Sequence, residues 1–426
     1  MLCDAVVRAR AAHSLDVTVC KHNAGAVFDT VSFGHHESYR SFVPADIVAK
    51  VILSHLATRS LYAGSGCFRN HRDGVYSLSQ RAQFIRAGVS TSTEGERPLL
   101  CTRVRKSIDR GVLPEAGTWW RAHILCGDSH RLPFATYLTF GTTGLVFEML
   151  NRGWKFRRLP RLLRPVHAFH RAALDPYFRR RFALHGGGRA TALEIQSAYC
   201  AEAERFVDRA DGPDWAAELV HRWRKTLEIA VRDPLCLAPR LDAYRKLHVL
   251  QRQIERAGLD WPLVHRAWRR LHELRMICSD KVVMALFDDA SDGLNKDEQS
   301  QWKKAKDLLA DIPDLTLDHI RYVVRLQALQ VQYHVLGGWY DQPAADGLAE
   351  PIAFSDAEIE AALHTAPTGA RAEARGRYIR HLQDERDHGT VIGTDCGTPR
   401  SPSGSTCATR SIPAERRPRA ARTILA

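Results

Sequence analysis

The chain has 426 residues, 45% of them hydrophobic, which is ordinary for a globular protein of two or three domains. No apolar run reaches the roughly 18 residues that a membrane span needs, and the N-terminal MLCDAVVRAR lacks the apolar core of a secretory signal, so we expect a cytoplasmic protein. The net charge of +13 favours an acidic partner, a membrane surface or nucleic acid without choosing among them. Ten cysteines without a CxxC pair exclude the usual zinc-site spacing.

The first 150 residues combine short β-like runs with glycine turns. The run VSFGHHESY, Val31 to Tyr39, predicts a strand that carries a His-His-Glu cluster. Because side chains alternate along a strand, His36 faces one way while His35 and Glu37 face the other. The three side chains therefore cannot all bind one metal ion directly.

A second strand is predicted at RAHILC, Arg121 to Cys126. Alternation directs Ala122, Ile124 and Cys126 towards the core, so Arg121 and His123 share the other face. The segment from Phe134 to Leu150 then predicts an apolar helix, broken near Gly141.

A basic segment follows at residues 151–190, with eleven Arg or Lys against a single acid, Asp175. Pro160 and Pro165 argue against one continuous helix. Arginines interleaved with aromatic residues would suit nucleic acid, but no DNA- or RNA-binding signature accompanies them. A solvated basic face is the simpler interpretation.

Helical periodicity dominates from Thr191 to Tyr340. Asp214 is placed as the N-cap of the first of these helices. Three apolar stripes are predicted: Trp215, Leu219, Trp223, Leu227 and Val231; Val264, Trp268 and Leu271; Ile320, Val324, Ala328 and Val331. Ser355 and Glu358 form a capping-box signal.

Several motifs occur in an order that resembles one enzyme family. They are VSFGHHESY, SLSQRAQF (77–84), RPLLCTR (97–103), RAHILCGD (121–128) and TFGTTGLVFEML (139–150). In this order they resemble the ligase and deamidase/depupylase enzymes for Pup, a small, acidic ubiquitin-like modifier of bacteria with proteasomes. Asp242 with Lys246, and Gln332 to His334, also match, so the resemblance spans about residues 19–385.

The resemblance implies an α+β fold, in which a glutamine-synthetase-like curved antiparallel sheet is backed by helices and is truncated at its N-terminal side. Residues 1–345 would be a partial domain of this kind, with the sheet in 17–130 and the helices in 134–340. Residues 350–389 would be a remnant of a small C-terminal domain. Residues 390–426 are rich in Ser, Pro and Arg without periodicity, which predicts a disordered tail.

The resemblance also implies a chemistry: ATP- and Mg²⁺-dependent joining of the C-terminal glutamate of Pup to a lysine, or reversal of that bond. The implied nucleotide-binding residues are Arg81, Arg103, Arg121 and His123. A guanidinium suits this role because its planar fork can bind two phosphate oxygens at once. His36 and Glu37 match a strand of the active-site cradle and are the implied metal ligands. A hydrogen-bonded strand histidine and a surface arginine paired with a carboxylate are the structural alternatives.

Parts of the family pattern are missing. Its N-terminal third, with a Glu-x-Glu strand, the catalytic aspartate and further metal-binding acids, precedes the position that matches Val19, where this sequence has only eighteen residues. After Arg103 the family's Asp-Glu-Pro-His is replaced by Val104, Arg105 and Lys106. Since Mg²⁺ needs oxygen ligands, we assign no catalytic residue and expect no turnover.

Three hypotheses stay open. The first is a Pup ligase or Pup deamidase/depupylase, truncated or degenerate, with the direction of the reaction undecided. The second is a non-catalytic Pup-binding or regulatory paralogue. The third, from another class, is a basic nucleic-acid-binding protein. The partners expected from the resemblance are Pup and lysine-bearing target proteins, with neither membrane nor nucleic acid among them.

Overall fold

The computed structural model divides the chain into two compact units, Met1–Ile352 and Ala353–Ala426. Within the first unit it describes residues 2–13, 18–24, 32–71, 74–103, 110–113, 117–157, 159–209, 212–310 and 314–336. Within the second it describes residues 355, 357–358, 360–361, 365, 376–381 and 383. The predicted tail at 390–426 lies outside the described residues, and the predicted domain limits at 345, 350 and 389 stay predictions.

The described residues form nine strands, of which all but β7 have five residues or fewer, as expected for a sheet interrupted by glycine turns. They are β1 Glu37–Ser41, β2 Cys67–His71, β3 Gly74–Ser77, β4 Val89–Ser90, β5 Leu100–Cys101, β6 Arg110–Leu113, β7 Gly117–Ile124, β8 Arg181–Ala183 and β9 Arg189–Thr191. The described residues also form twelve α-helices, the first before β1 and the others between and after the strands. They are α1 Leu2–His13, α2 Ala45–Thr58, α3 Ser60–Ala63, α4 Pro133–Asn151, α5 Pro165–Ala173, α6 Ala192–Asp208, α7 Ala216–Arg232, α8 Asp242–Arg256, α9 Trp261–Ile277, α10 Asp280–Phe287, α11 Lys296–Ala310 and α12 Leu317–Tyr333.

The main sheet has five strands in the order β1-β7-β5-β4, with β6 also paired to β7. Strand β7 runs antiparallel to β1, β5 and β6. Only β4 and β5 pair in parallel among the described strands, over two residues each, and residues 91–99 join them without a helix. The chain therefore has the predicted α+β class, and the short parallel pair is the exception to the predicted antiparallel order.

Helix α4 backs one face of this sheet. The Tyr39 ring on β1 stacks on the Phe147 ring of α4 at a centroid distance of 5.0 Å. The predicted break near Gly141 is wrong, because α4 runs without interruption. A Cβ at Gly141 would lie 2.5 Å from Leu219 Cδ1. This glycine therefore allows close contact between α4 and α7 instead of ending the helix.

The expectation of short strands and glycine turns before the helix of residues 134–150 is incomplete, because it leaves out a helix. Helix α2 occupies Ala45–Thr58 and buries Val48, Ile52 and Leu56. These residues recur at four-residue intervals, the spacing of a buried helix stripe. The run of β-branched residues around Val51 conceals this periodicity.

The predicted helix stripes are confirmed to different degrees. All three residues of the α9 stripe, Val264, Trp268 and Leu271, are buried. In α7 the centre of the stripe is buried, but Trp215 and Val231 at its ends are 49% and 67% exposed. In α12 only Ile320 of the four predicted positions is fully buried, whereas Val324 is half-buried against the core, Val331 is half-buried and Ala328 is exposed. Asp214 is not the N-cap of α7, which begins after Trp215 without a side-chain cap.

The capping box predicted in the second unit is confirmed. Ser355 N donates to Glu358 Oε2 at 2.7 Å, and Glu358 N donates to Ser355 Oγ at 3.3 Å. In the described part of the chain, no helix combines the length and apolar character required to cross a membrane.

Candidate functional site

Strand β1 divides the His-His-Glu cluster between two environments. The strand begins at Glu37, and His35 and His36 lie immediately before it. As alternation predicted, Glu37 and His35 approach each other on one side, whereas His36 contacts His123 on the other.

The first side holds a group of basic residues, His36, Arg81, Arg121 and His123, which we call the basic cluster. His36 Nδ1 lies 2.7 Å from His123 Nε2, so one ring donates a proton to the other. Arg121 Nη1 donates to Ser38 Oγ at 3.2 Å. In the β1–β7 register Ser38 is opposite His123. Antiparallel pairing thus places these side chains on one sheet face.

Arg81 joins the cluster from the SLSQR segment. Its Nε donates to Leu125 O at 2.9 Å, and its Nη1 donates to Ser32 Oγ at 3.1 Å and to Phe33 O. Arg81 is almost fully buried, and burial lowers the pKa of its guanidinium. It therefore holds the segment that leads into His36 against the end of β7.

The charges in the cluster act on one another. Burial lowers the pKa of His36, and the Arg81 and Arg121 guanidiniums lower it further. At neutral pH the His36 imidazole is uncharged, so the positive charge of the cluster lies on its two guanidiniums. Such a surface attracts an oxyanion, to which the half-buried Arg121 can donate charge-assisted hydrogen bonds.

The second side holds a buried ion pair between Glu37 and Arg59. Arg59 Nη2 and Nη1 lie 2.5 and 2.9 Å from the two Glu37 oxygens, and Tyr39 donates to Glu37 Oε2 at 2.7 Å. Arg59 Nη1 also donates to Thr143 Oγ1 at 2.6 Å. Burial alone would raise the pKa of Glu37, but the Arg59 charge outweighs it and lowers the pKa. The carboxylate is ionised and bonded to protein on both oxygens.

His35 lies beside this pair. Its ring is 6.2 Å from that of His130 and 5.7 Å from that of Phe140. Burial lowers the pKa of His35 to about 4, so the ring is neutral. A Cβ at Gly127 would lie 2.7 Å from Glu37 Oε1 and 3.0 Å from His35 Cδ2, which explains the glycine in the RAHILCGD motif.

Asp128, the residue after Gly127, joins two of the motifs. Its carboxylate accepts from the backbone N–H groups of Ser65, Gln80 and Arg81 at 2.9, 2.8 and 3.2 Å. The Asp128 side chain is fully buried, and burial raises its pKa. The hydrogen bonds from the backbone N–H groups act in the opposite direction and lower it in part. The RAHILCGD and SLSQRAQF motifs are therefore parts of one structure, and Asp128 positions Arg81.

The later motif residues also meet. Tyr333 donates to Asp242 Oδ1 at 2.7 Å, and Lys246 Nζ lies 2.8 Å from His334 Nε2. Burial lowers the pKa of Lys246 to about 8. His334 also lies 2.9 Å from Gln80 Nε2, so this group is continuous with the SLSQR segment. A pocket of about 30 Å³ beside it, which Gln80 and His334 help to line, has room for a single water.

The structure thus brings together four of the six predicted site residues. Arg103 lies past the end of β5, is exposed, and makes no hydrogen bond or ion pair with the cluster in the described part of the chain. Glu37 is on the opposite side of β1 and is engaged by Arg59. Among the described residues, no three His, Cys, Asp or Glu side chains are arranged to hold a metal ion. The roles assigned to all six stay predictions.

Sequence reasoning missed Arg59, His55 and Asp128. Arg59 follows α2 and is 22 positions from its partner Glu37, so no local pattern connects them. His55, whose Nε2 lies 3.0 Å from Thr143 Oγ1, belongs to helix α2, which was not predicted. Asp128 was noted only as the last residue of the RAHILCGD motif, although an Asp side chain commonly binds nearby backbone N–H groups.

Comparison with known proteins extends this picture. A family model described as "Pup-ligase protein" matches residues 1–276. A depupylase of Acidothermus cellulolyticus is 35% identical over 239 residues, covering 54% of this chain and 46% of that protein. A Pup–protein ligase of Actinosynnema mirum is 28% identical over 375 residues, covering 86% of this chain and 68% of that protein.

A solved structure shares the fold. The Pup ligase PafA, solved in complex with ADP, superimposes with a TM-score of 0.65 at 20% identity, covering 92% of this chain and 73% of that one. The chain therefore spans about half to three quarters of the length of the proteins it matches here.

Proposed function

Since the chain belongs to the Pup-ligase family, we propose that it acts on Pup, with the basic cluster holding the phosphates of a nucleotide. The reaction is that implied by its relatives: a bond between Pup and a lysine-bearing protein is made or broken with ATP. Ligase and depupylase are both represented among the similar proteins, so both directions belong to the proposal.

One observation carries the nucleotide part of the proposal. Three separate segments bring Arg81, Arg121, His36 and His123 onto one side of the β1–β7 pair. The fold family includes a structure that contains ADP. A phosphate group fits the cluster, because the Arg121 guanidinium and an imidazole can donate hydrogen bonds to its oxygens while the Arg81 charge adds to the attraction.

The residues would divide the work. Arg121, on a sheet strand with a half-buried side chain, would bind phosphate oxygens. Arg81 would act mainly by positioning, because its own hydrogen bonds go to Leu125, Ser32 and Phe33. The neutral His36, hydrogen-bonded to His123, would bring an N–H group to the ligand without adding a charge of its own that repels the arginines.

The described residues do not fit magnesium. Glu37 is the carboxylate nearest in sequence to the cluster, and both its oxygens are bonded to Arg59 and Tyr39. Mg²⁺ is usually bound through carboxylates together with substrate phosphates, so we derive no catalytic step through the ion. This observation favours a second candidate function, a non-catalytic Pup-binding paralogue.

One experiment separates the two candidates. Purified protein is incubated with Pup, ATP, Mg²⁺ and a lysine-bearing target, and separately with a Pup conjugate, and products are resolved on gels. Anisotropy of labelled Pup measures binding in parallel, and calorimetry measures ATP binding with and without Mg²⁺.

The outcomes are distinct. Turnover in either direction supports the enzyme, and Pup binding without turnover supports the non-catalytic paralogue. Absence of Pup binding would refute both. ATP binding that persists unchanged in Arg121→Gln would remove the basic cluster from the nucleotide site while leaving the Pup part standing.

A further inference from the structure

A second basic site lies in the segment that the family resemblance left without a role. A cleft of about 250 Å³ opens between the start of α5 and the β8–β9 hairpin. Its lining is drawn from residues 162–168 and 181–189, within the Arg-rich stretch of the sequence. None of the residues that line it belongs to the basic cluster.

The cationic part of the cleft consists of Arg164, Arg181, Arg189 and His167. On the hairpin, Arg181 Nη2 donates to Arg189 O at 2.8 Å and Arg189 Nη2 donates to Arg181 O at 2.7 Å, so each backbone fixes the other guanidinium. The carboxylate of Glu194, 3.2 Å from Arg181 Nη1, neutralises one charge. The two further arginines of the lining, Arg164 and Arg189, keep the cleft basic.

The start of α5 adds hydrogen-bond donors. The helix begins at Pro165, after Arg164, and no side chain caps it. Proline has no N–H group, but the amide groups of the first turn after it point out of the helix end. The positive end of the helix dipole and the arginines therefore act on the same space.

The remaining wall is apolar. Leu162, Ala168 and Phe182 are buried beneath the cleft, and Leu163 at its edge is 50% exposed. An exposed leucine next to fixed guanidiniums is suited to a ligand that carries an apolar group beside its negative charge. The volume limits that ligand to a small molecule or a single side-chain-sized group.

We propose that this cleft binds a small organic oxyanion, a phosphate or carboxylate attached to a compact apolar group. The guanidiniums of Arg164 and Arg189 and the first turn of α5 would bind the oxyanion, and Leu163 would cover the apolar group. The site is independent of the proposed function, because it uses neither Pup nor the basic cluster.

The test uses the full chain and four probes: phenyl phosphate, benzoate, inorganic phosphate and benzyl alcohol. We expect phenyl phosphate or benzoate to bind at least about tenfold more tightly than inorganic phosphate, and benzyl alcohol not to bind, by calorimetry at low salt. Whichever of the two aromatic anions binds more tightly identifies the oxyanion. Equal affinity for inorganic phosphate would overturn the apolar part of the proposal, and absence of binding by every anion at millimolar concentration would overturn all of it.

Variants locate the site. Arg164→Gln with Arg189→Gln should weaken binding about tenfold or more, because charge-assisted hydrogen bonds are lost. Leu163→Glu should abolish binding while keeping both arginines, since its carboxylate would occupy the cleft. Arg232→Gln removes an exposed charge from α7 and is the matched control. Circular dichroism and thermal unfolding verify that each variant is folded. Unchanged affinity in both cleft variants would refute the assignment.

Discussion

The two sides of strand β1 show how one sequence motif serves two purposes. On the helix side, Glu37 and Arg59 are both about fully buried and bonded to each other. On the other side, His36 is exposed, and Arg121 donates to the Ser38 hydroxyl at 3.2 Å. Charges that already satisfy each other stabilise a fold, whereas like charges held together favour an outside ligand.

This contrast favours a structural role for Glu37 of the His-His-Glu motif over the predicted role as a metal ligand. An acid next to a histidine suggests a metal site, but a carboxylate that accepts from a guanidinium and a phenol has a structural task. Like charges such as those of Arg81 and Arg121 are costly to hold together, and functional sites are where such arrangements are found. The comparison can be tested from either side.

The largest effect is expected from breaking the buried pair. Glu37→Gln leaves the Arg59 charge buried without a counter-charge, which should lower the free energy of unfolding by about 3–5 kcal/mol. Urea unfolding at pH 7 measures it. The matched control is Glu148→Gln, which breaks the exposed pair with Arg152 (2.6 Å) and should cost less than about 1 kcal/mol.

The double variant Glu37→Gln, Arg59→Met refines that test. Replacing both charges removes the unpaired cation, so much of the stability should return. If Glu37→Gln costs no more than Glu148→Gln, the pair is not the structural element described here and Glu37 becomes available again as a ligand.

The second effect, on the same side of β1, is a dependence of the free energy of unfolding on pH. The folded pKa of His35 is about 4 against an ordinary 6.5, so the unfolded chain binds the extra proton first. The contribution of His35 to stability is complete above pH 6.5 and is lost as the pH falls towards 4, by at most about 3 kcal/mol. Below that range Glu37 takes over, because its lowered pKa makes its contribution disappear only as the pH falls below 4.5.

Urea unfolding of the wild type and His35→Gln between pH 7 and 4.5 isolates the contribution of His35 to stability. The variant should show a shallower decline, because other buried histidines, His55 and His334 among them, titrate equally in both proteins. Parallel curves for the two proteins would mean that His35 can accept a proton in the folded state without cost.

The sequence predicted what is local and missed what is distant. Alternation placed His36 and Glu37 on opposite sides correctly, and put Ala122 and Ile124 in the core, because a two-residue period needs no tertiary information. Alternation could not identify Arg59 as the partner of Glu37, because the two residues lie on different elements, one on a strand and the other at the end of a helix. Gly141 was mistaken for a helix break because its neighbour Leu219 comes from another helix.

Several residues matched as family motifs are in contact in the structure, although neither periodicity nor the motif order predicted those contacts. Asp242 and Tyr333 were matched as separate stretches, and the structure joins them by a 2.7 Å hydrogen bond. In the same way Asp128 and Arg81 proved to be neighbours. Motif order reflects a shared three-dimensional arrangement, whereas the ligand each residue would bind stays a prediction until it is measured.

On the other side of β1, the third effect is a loss of nucleotide affinity. Arg121→Gln should weaken ATP binding about tenfold, since a charged donor is replaced by a neutral one. Arg121→Lys, which keeps the charge but not the planar fork, should lose less. Calorimetry measures both, with Arg232→Gln as the control, and the free energy of unfolding should change by less than about 1 kcal/mol. A stability loss equal to that of Glu37→Gln would make both sides of the strand structural.

The smallest effect is expected at Arg103, the predicted nucleotide-binding residue that the structure places outside the basic cluster. Its exposed side chain follows the end of β5, and exposed charges contribute about 0–1 kcal/mol to an interaction and are screened by salt. Arg103→Gln should therefore change ATP affinity less than about twofold, and the change should vanish at high ionic strength. Arg103→Gln could instead weaken ATP binding as much as Arg121→Gln does, at high as well as low ionic strength. In that case the phosphate site extends past β5 and includes more residues than the four of the basic cluster.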